Sequence, residues 1–153
     1  MANTFTQIYI HVVFAVQDRM SLIASDRKEE LHKYITGIVT NLGQKLIAIH
    51  CMHDHLHMLV GLRPALALSD VIGKVKANSS GWINQKGWIQ GRFSWQESFG
   101  AFSCSHSQLP TVIRYIQNQE RHHARRPFRE EYVAMLKRFN VVYDEKYLFH
   151  PVE

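Results

Sequence analysis

Scarcities in this sequence exclude more than its abundances suggest. Only two cysteines occur in 153 residues, Cys51 and Cys104, and no C-x-x-C pair is present. Neither a disulfide framework nor a thiolate zinc site is therefore encoded. No apolar run approaches the ~18 residues that a membrane span needs, and residues 58–62 are typical of the runs that occur. The first residues lack the basic and long apolar regions of a secretory leader. Nothing resembles a phosphate-binding glycine loop, so no nucleotide cofactor is expected. Repeats, low-complexity tracts and linkers are also missing. With 46% hydrophobic and 20% charged residues, disorder is excluded as the default. The expectation is a single soluble, cytoplasmic domain over residues 1–153.

Two excesses remain. Eighteen Lys and Arg against 13 Asp and Glu give a net charge of +5, which favours a polyanionic partner. Ten histidines are many for this length, and four of them fall within residues 50–57.

Hydrophobic patterning orders the chain. Residues 5–16 are rich in β-branched and aromatic side chains and read as a strand. Ser25 then offers an N-cap for a helix carrying Leu31, Ile35, Ile38, Val39 and Leu42 on one face, closed by Gly43. Residues 45–52 and 55–62 read as two strands joined by a tight turn at His53 and Asp54. Ser69 caps a second helix over residues 70–83, and residues 93–103 alternate as a fourth strand. Ser107 caps a third helix, with Pro110 in its first turn, that runs through Tyr115 and Gln119 to the Arg-Arg-Pro at 125–127. Residues 128–139 form a last helix before a tail containing Tyr143 and Tyr147. The order β-α-β-β-α-β-α-α predicts an α+β fold, an antiparallel sheet with helices on one side.

His55-Leu56-His57 opens an apolar strand. Alternation puts His55 and His57 on one face, with Cα atoms about 6.6 Å apart, close enough for two imidazoles to share an ion. A lone histidine is usually a surface or satisfied core residue. Two in an otherwise Met-Leu-Val strand give up apolar packing unless something coordinates them. His53 is expected in the turn. Tyr115 and Gln119, four apart, share a helix face; taken alone, Tyr115 is ordinary packing beside Val112 and Ile116. Between Arg114 and Arg129 lie five arginines and one acid, Glu120. That concentration makes Arg114, Arg121, Arg125 and Arg126 candidates for phosphate contact. Trp82, Trp88, Phe93 and Trp95 lie near Lys74, Lys76 and Arg92, a combination that fits base stacking or a core, with core favoured for Trp95.

Together these features resemble the HUH single-tyrosine transposases of the smallest bacterial and archaeal insertion sequences, the transposase A type. The H-hydrophobic-H motif matches His55-Leu56-His57, preceded by Asp54, and the Y-x-x-x-Q motif matches Tyr115 and Gln119. The blocks Trp95-Gln96-Glu97, Gly100-Ala101-Phe102-Ser103, His122-His123, Phe128-Arg129-Glu130-Glu131-Tyr132 and Tyr143-Asp144-Glu145-Lys146-Tyr147 are similar too. The chain departs from the family pattern at His53, where proline is common, and at Ser98-Phe99, where Gly-Tyr is common.

The resemblance implies a ferredoxin-like or RNA-recognition-type sandwich, a homodimer and recognition of single-stranded DNA with hairpin structure. It implies attack by Tyr115 to give a 5′-phosphotyrosine, with strands later rejoined. Tyrosine has a pKa near ~10 and needs a cation beside it to act as a nucleophile. His55, His57 and the Gln119 amide oxygen would hold one, and this donor set with substrate oxygens suits Mg²⁺ or Mn²⁺. Three other classes compete: a retired transposase that grips hairpins without cutting, a metal-dependent hydrolase of small substrates, and a zinc-stapled interaction domain. The joint presence of His55, His57, Tyr115 and Gln119 argues against the first. The second lacks a clear acidic base beyond Asp54 and Glu97, and the third lacks closed four-ligand spacing.

Overall fold

A computed structural model describes residues 4–149, apart from the side chain of Tyr147. The N-terminal residues on which the absence of a leader rests lie largely outside it. The elements are β1 (Tyr9–Ala15), α1 (Lys28–Asn41), β2 (Lys45–Cys51), β3 (His55–Gly61), α2 (Leu68–Lys86), β4 (Gly100–Cys104), α3 (Leu109–Gln117), α4 (Gln119–His123) and α5 (Phe128–Arg138). The four strands form one sheet in the order β2-β3-β1-β4, with every neighbouring pair antiparallel. This is the α+β fold with an antiparallel sheet that the element order predicts.

Strand alternation gives the sheet two different faces. On one, Val12 and Phe14 of β1 and Leu56, Met58 and Val60 of β3 pack against Leu31, Ile35 and Val39 of α1 and Ile72, Val75 and Ile83 of α2. On the other, Val13, Ala15 and Phe102 meet Phe128, Tyr132 and Met135 of α5, while Ala48 and Leu59 meet Ile116 of α3. Helices thus cover both faces, where the sequence reading placed them on one side. The unbroken apolar runs of β1 and β3 are the pattern of strands buried on both faces, and the amphipathic segment 109–138 supplies the second cover.

Boundaries shift for local reasons. β1 begins at Tyr9, leaving Phe5 almost fully exposed. A single 3₁₀ turn over Ser25–Arg27 precedes α1, whose cap position is Arg27, so Ser25 does not cap it. α2 starts one residue before Ser69 and runs on to Gly87, which closes it at φ +67, a left-handed conformation suited to glycine. It passes through Ser79 and Ser80, whose hydroxyls bond back to the carbonyls of Val75 and Lys76, while its buried face of Val71, Ile72, Val75 and Ile83 holds it to the core. The fourth strand is confined to residues 100–104. Before it, Phe93 is held by the Asn84 amide, and Trp95 makes one bridge to Val16. Ahead of α3, a 3₁₀ turn places the Gln108 side chain on the Ser105 N–H, so Ser107 is not the cap. The helix bearing Tyr115 breaks at Asn118 (φ −101, ψ 24), so Gln119 opens α4.

At Gly100 the backbone of β4 comes close to α5. A Cβ there would lie 2.6 Å from the ring of buried Tyr132.

Candidate active site

The face of the sheet under α3–α5 carries His50 on the edge strand β2 and, further in, a cluster of three imidazoles. In the β1–β3 register Ala15 lies opposite His55, Val13 opposite His57 and His11 opposite Leu59, so His11, His55 and His57 point the same way. α4 and α5 close over them with Gln119, His123 and Glu131. His55 (1%), His57 (0%), Gln119 (0%) and Glu131 (4%) are almost completely shielded from solvent. Phe128 stacks on His55 with ring centroids 3.8 Å apart, sealing one side.

The polar atoms converge. Glu131 Oε1 lies 3.1 Å from His57 Nε2, 3.1 Å from His123 Nε2 and 3.8 Å from His55 Nε2. The Gln119 amide oxygen is 3.0 Å from His123 Nε2 and 3.5 Å from His55 Nε2. Ligand atoms of His55, His57, His123 and Glu131 all fall within 4.8 Å of one another. The other carboxylate oxygen, Glu131 Oε2, accepts the Tyr115 hydroxyl and, at 3.2 Å, the Gln119 amide N–H. Nucleophile candidate and metal-ligand candidates therefore meet at one carboxylate, within a single chain.

Outer partners orient the rings. His55 Nδ1 lies 2.7 Å from Asp54 Oδ1, which leaves Nε2 facing the cluster. His57 Nδ1 lies 2.9 Å from His11 Nε2. A carboxylate can only accept, so without metal His57 Nε2 carries the proton and His57 Nδ1 accepts from His11. Were His57 Nε2 to hold a cation, His57 would carry its proton on Nδ1 and His11 Nε2 would accept its hydrogen bond. The donor set thus fits a divalent ion: buried imidazoles, an amide oxygen and a carboxylate, with two of the rings fixed from behind.

The electrostatics agree. Burial lowers the His57 pKa to about 4, and burial together with His57 lowers that of His11 to about 3, so both are neutral at pH 7. Burial alone would raise the Glu131 carboxyl, but hydrogen bonds to His123 and His57 outweigh it and hold the group well below the usual carboxylate range. Burial and the Glu131 charge push the Tyr115 phenol far above its ordinary value. The metal-free site therefore keeps the phenol protonated beside a fixed negative charge.

His55, His57, Tyr115 and Gln119, singled out from the sequence, are brought together. His53 sits in the turn, its Nδ1 2.7 Å from the Ile23 carbonyl. Three participants were not singled out: His11, His123 and Glu131. Glu131 had a visible signal, since it falls on the apolar stripe of α5 beside Phe128, Tyr132 and Met135. An acid placed there calls for a buried partner. Glu97, by contrast, is exposed.

The candidate phosphate contacts divide between the two sides of the sheet. Arg114, Arg121, Arg125 and Arg126 are exposed on α3, α4 and the turn after them. Lys74 is exposed on α2, across the sheet, and Arg92 lies in the loop that follows α2. Lys76 is half-buried, its ammonium 2.8 Å from the Gln96 carbonyl and 2.7 Å from that of Ser98. Phe93 and Trp95 are core residues, and Trp82 stacks on Tyr34.

A family profile described as "Transposase IS200 like" matches residues 4–119. The chain belongs to the IS200-like transposases. Over 118 residues it is 22% identical to the ISDra2 transposase TnpA of Deinococcus radiodurans, covering 74% of this chain and 84% of that protein. Over 80 residues it is 24% identical to the transposase for insertion sequence element IS200 of Salmonella typhimurium, 52% of this chain and 53% of the relative. A solved REP-associated tyrosine transposase bound to a REP hairpin superposes with TM-score 0.59 at 12% identity, covering 100% of this chain and 97% of that one. This IS200-like transposase shares that fold. Its family match ends at Gln119, whereas His123 and Glu131 lie beyond it. Among its described helices, none is long and apolar enough to cross a membrane.

Proposed function

We propose that this transposase cuts and rejoins single-stranded DNA at insertion-sequence ends, with Tyr115 as nucleophile and a 5′-phosphotyrosine intermediate. The observation that carries this is the shared carboxylate, with Glu131 Oε2 on the Tyr115 hydroxyl and Oε1 among the imidazoles. In cleavage, the Tyr115 oxygen bonds to phosphorus as the bond to the 3′ oxygen breaks. The phenolic proton passes to Glu131, and the departing 3′ oxygen takes a proton from solvent. One phosphoester replaces another, so a second strand's 3′-hydroxyl can reverse the step without ATP.

The protein alone leaves the phenol a poor nucleophile, since burial and the Glu131 charge both favour its protonated form. His55, His57 and Gln119, with His123 and Glu131 in reach, would hold a divalent cation, which when bound would supply positive charge to offset this and to polarise the scissile phosphate. Of the two ions expected, Mn²⁺ suits an imidazole-rich set better than Mg²⁺. The exposed Arg114, Arg121, Arg125 and Arg126 give the substrate strand a cationic border beside Tyr115. Hairpin recognition is supported by the solved transposase bound to a REP hairpin. Joining two element ends calls for two such sites, hence a homodimer.

The test uses single-stranded oligonucleotides copied from the DNA flanking the gene, incubated with protein and Mn²⁺ or Mg²⁺. A DNA-dependent species that survives SDS, needs metal and disappears in Tyr115→Phe is expected. Loss of the nucleophile should lower adduct formation by about a thousandfold or more. Binding without an adduct on any strand would instead make the chain a hairpin-binding module.

A further inference from the structure

Two cavities flank Tyr115, and they differ in kind. The larger, about 590 Å³, lies between α3 and α5 over β1 and β4. Its walls include the buried Phe102, Met135 and His11 and the half-buried Val112, with exposed Phe139 and Arg138 among its lining. The smaller, about 220 Å³, is lined by Tyr115, His122, His123, Arg125, Arg126 and Glu131 and has no aliphatic wall. Tyr115, Arg126 and Glu131 line both. A strand whose phosphate reaches Tyr115 therefore has both cavities beside it.

Their chemistry sorts the parts of a nucleotide. Arg125 and Arg126 form no ion pair among the described residues, so the smaller cavity offers unneutralised guanidinium groups to a phosphate. The larger cavity is within the size range of small-molecule sites and presents aromatic and thioether surface. Phe102 and Phe139, with ring centroids 4.9 Å apart, provide a tilted aromatic wall for a flat heteroaromatic ring. Ser103 and Thr111 add hydroxyls that can meet a base edge. Arg126 and Arg138 also line this cavity, both exposed, but its buried walls are Phe102, Met135 and His11, which suit an unstacked base better than a phosphate.

We propose that the cavity between α3 and α5 receives the base of one nucleotide adjoining the phosphate that Tyr115 attacks, and so seats the strand at the nucleophile. The inference rests on the strand-cleavage reading above and adds a subsite to it. The neighbouring phosphate lies on Arg125 and Arg126, so the base pocket and the cationic pocket fix the strand's register across the nucleophile.

The experiment places an abasic residue, or 2-aminopurine, at each position on either side of the mapped cleavage site. The full-length protein is compared with Thr111→Trp, which fills the cavity from its exposed α3 side, and with Phe139→Ala, which removes the outer aromatic surface. Melting temperatures confirm that both variants fold. One abasic position should lower adduct formation by wild type about tenfold or more, the scale of a lost base–aromatic stack. Thr111→Trp should lose that discrimination, and 2-aminopurine at the same position should change its fluorescence on binding wild type but not Thr111→Trp. Full-rate adduct formation with every abasic strand, or unchanged discrimination in both folded variants, overturns the pocket while leaving strand cleavage intact. Absence of any adduct overturns strand cleavage instead. A position-specific 2-aminopurine signal abolished by Thr111→Trp would then still support the pocket.

Discussion

The two faces of the sheet are made from the same strands and do opposite work. Val12, Phe14, Leu56, Met58 and Val60 turn one way into a dry core under α1 and α2. Their immediate neighbours His11, His55 and His57 turn the other way into a polar cluster under α4 and α5. A shift of one residue in register would exchange the two sets, so the apolar core that stabilises the fold also aims the imidazoles. Stability and chemistry are separated by alternation along a strand rather than by distance along the chain.

Adjacent residues of β3 therefore break the molecule in different ways. Met58→Ala should destabilise by about 2–5 kcal/mol through the cavity it leaves, with Mn²⁺ affinity of the folded protein unchanged. His57→Ala should lower Mn²⁺ affinity about a hundredfold or more, measured by calorimetry. If Met58→Ala weakens Mn²⁺ binding as much as His57→Ala does, the faces are not independent.

Acid should act mainly through the polar face. His11, His57 and, on α1, His32 have pKa values lowered to about 3, 4 and 4, so between pH 6.5 and about 4 the unfolded chain binds protons that the folded chain does not. Stability then falls on acidification, by at most about 1.4 kcal/mol per pH unit for each such group. Glu131 acts in the same direction below the ordinary glutamate range, because its folded value is depressed. Denaturant titrations of metal-free protein at pH 7.5 and 4.5 check the sign, and His11→Phe should flatten the slope. A smaller effect is expected one layer out. Asp54→Asn leaves the donors in place but weakens the anchor of His55, and should lower metal affinity about tenfold.

Much of this was legible in the sequence. Period-2 alternation fixed the parity of His55 and His57, and strong amphipathic patterns located α1, α2 and α5. Two-sided helix cover was not foreseen, although the unbroken apolar run of β1 signals it. None of the expected caps Ser25, Ser69 and Ser107 holds: a 3₁₀ turn leads into α1, α2 starts from Ala67, and Ser105 with Gln108 caps the 3₁₀ turn ahead of α3. Glu131 and His123 were harder, because the break at Asn118 and the turn at 124–127 redirect the chain. Linear spacing therefore says little about where those side chains arrive. His11 was hidden for a different reason: its partner is a diagonal neighbour on β3, visible only once strand order is known.

The bare backbone of Gly100 gives the sheet a second use, as a gauge for the helix above it. Tyr132 rests its ring where a Cβ would be, and Tyr132 is the next residue after Glu131 on α5. The height of α5, and with it the reach of the shared carboxylate, is thus set by an atom that strand β4 lacks. A methyl group there would act like a shim under a lever. Gly100→Ala should cost about 1–3 kcal/mol of stability, seen in the melting curve. It should also loosen Mn²⁺ binding, although the residue has no side chain with which to touch the ion. Unchanged calorimetry would show that α5 takes its height from elsewhere.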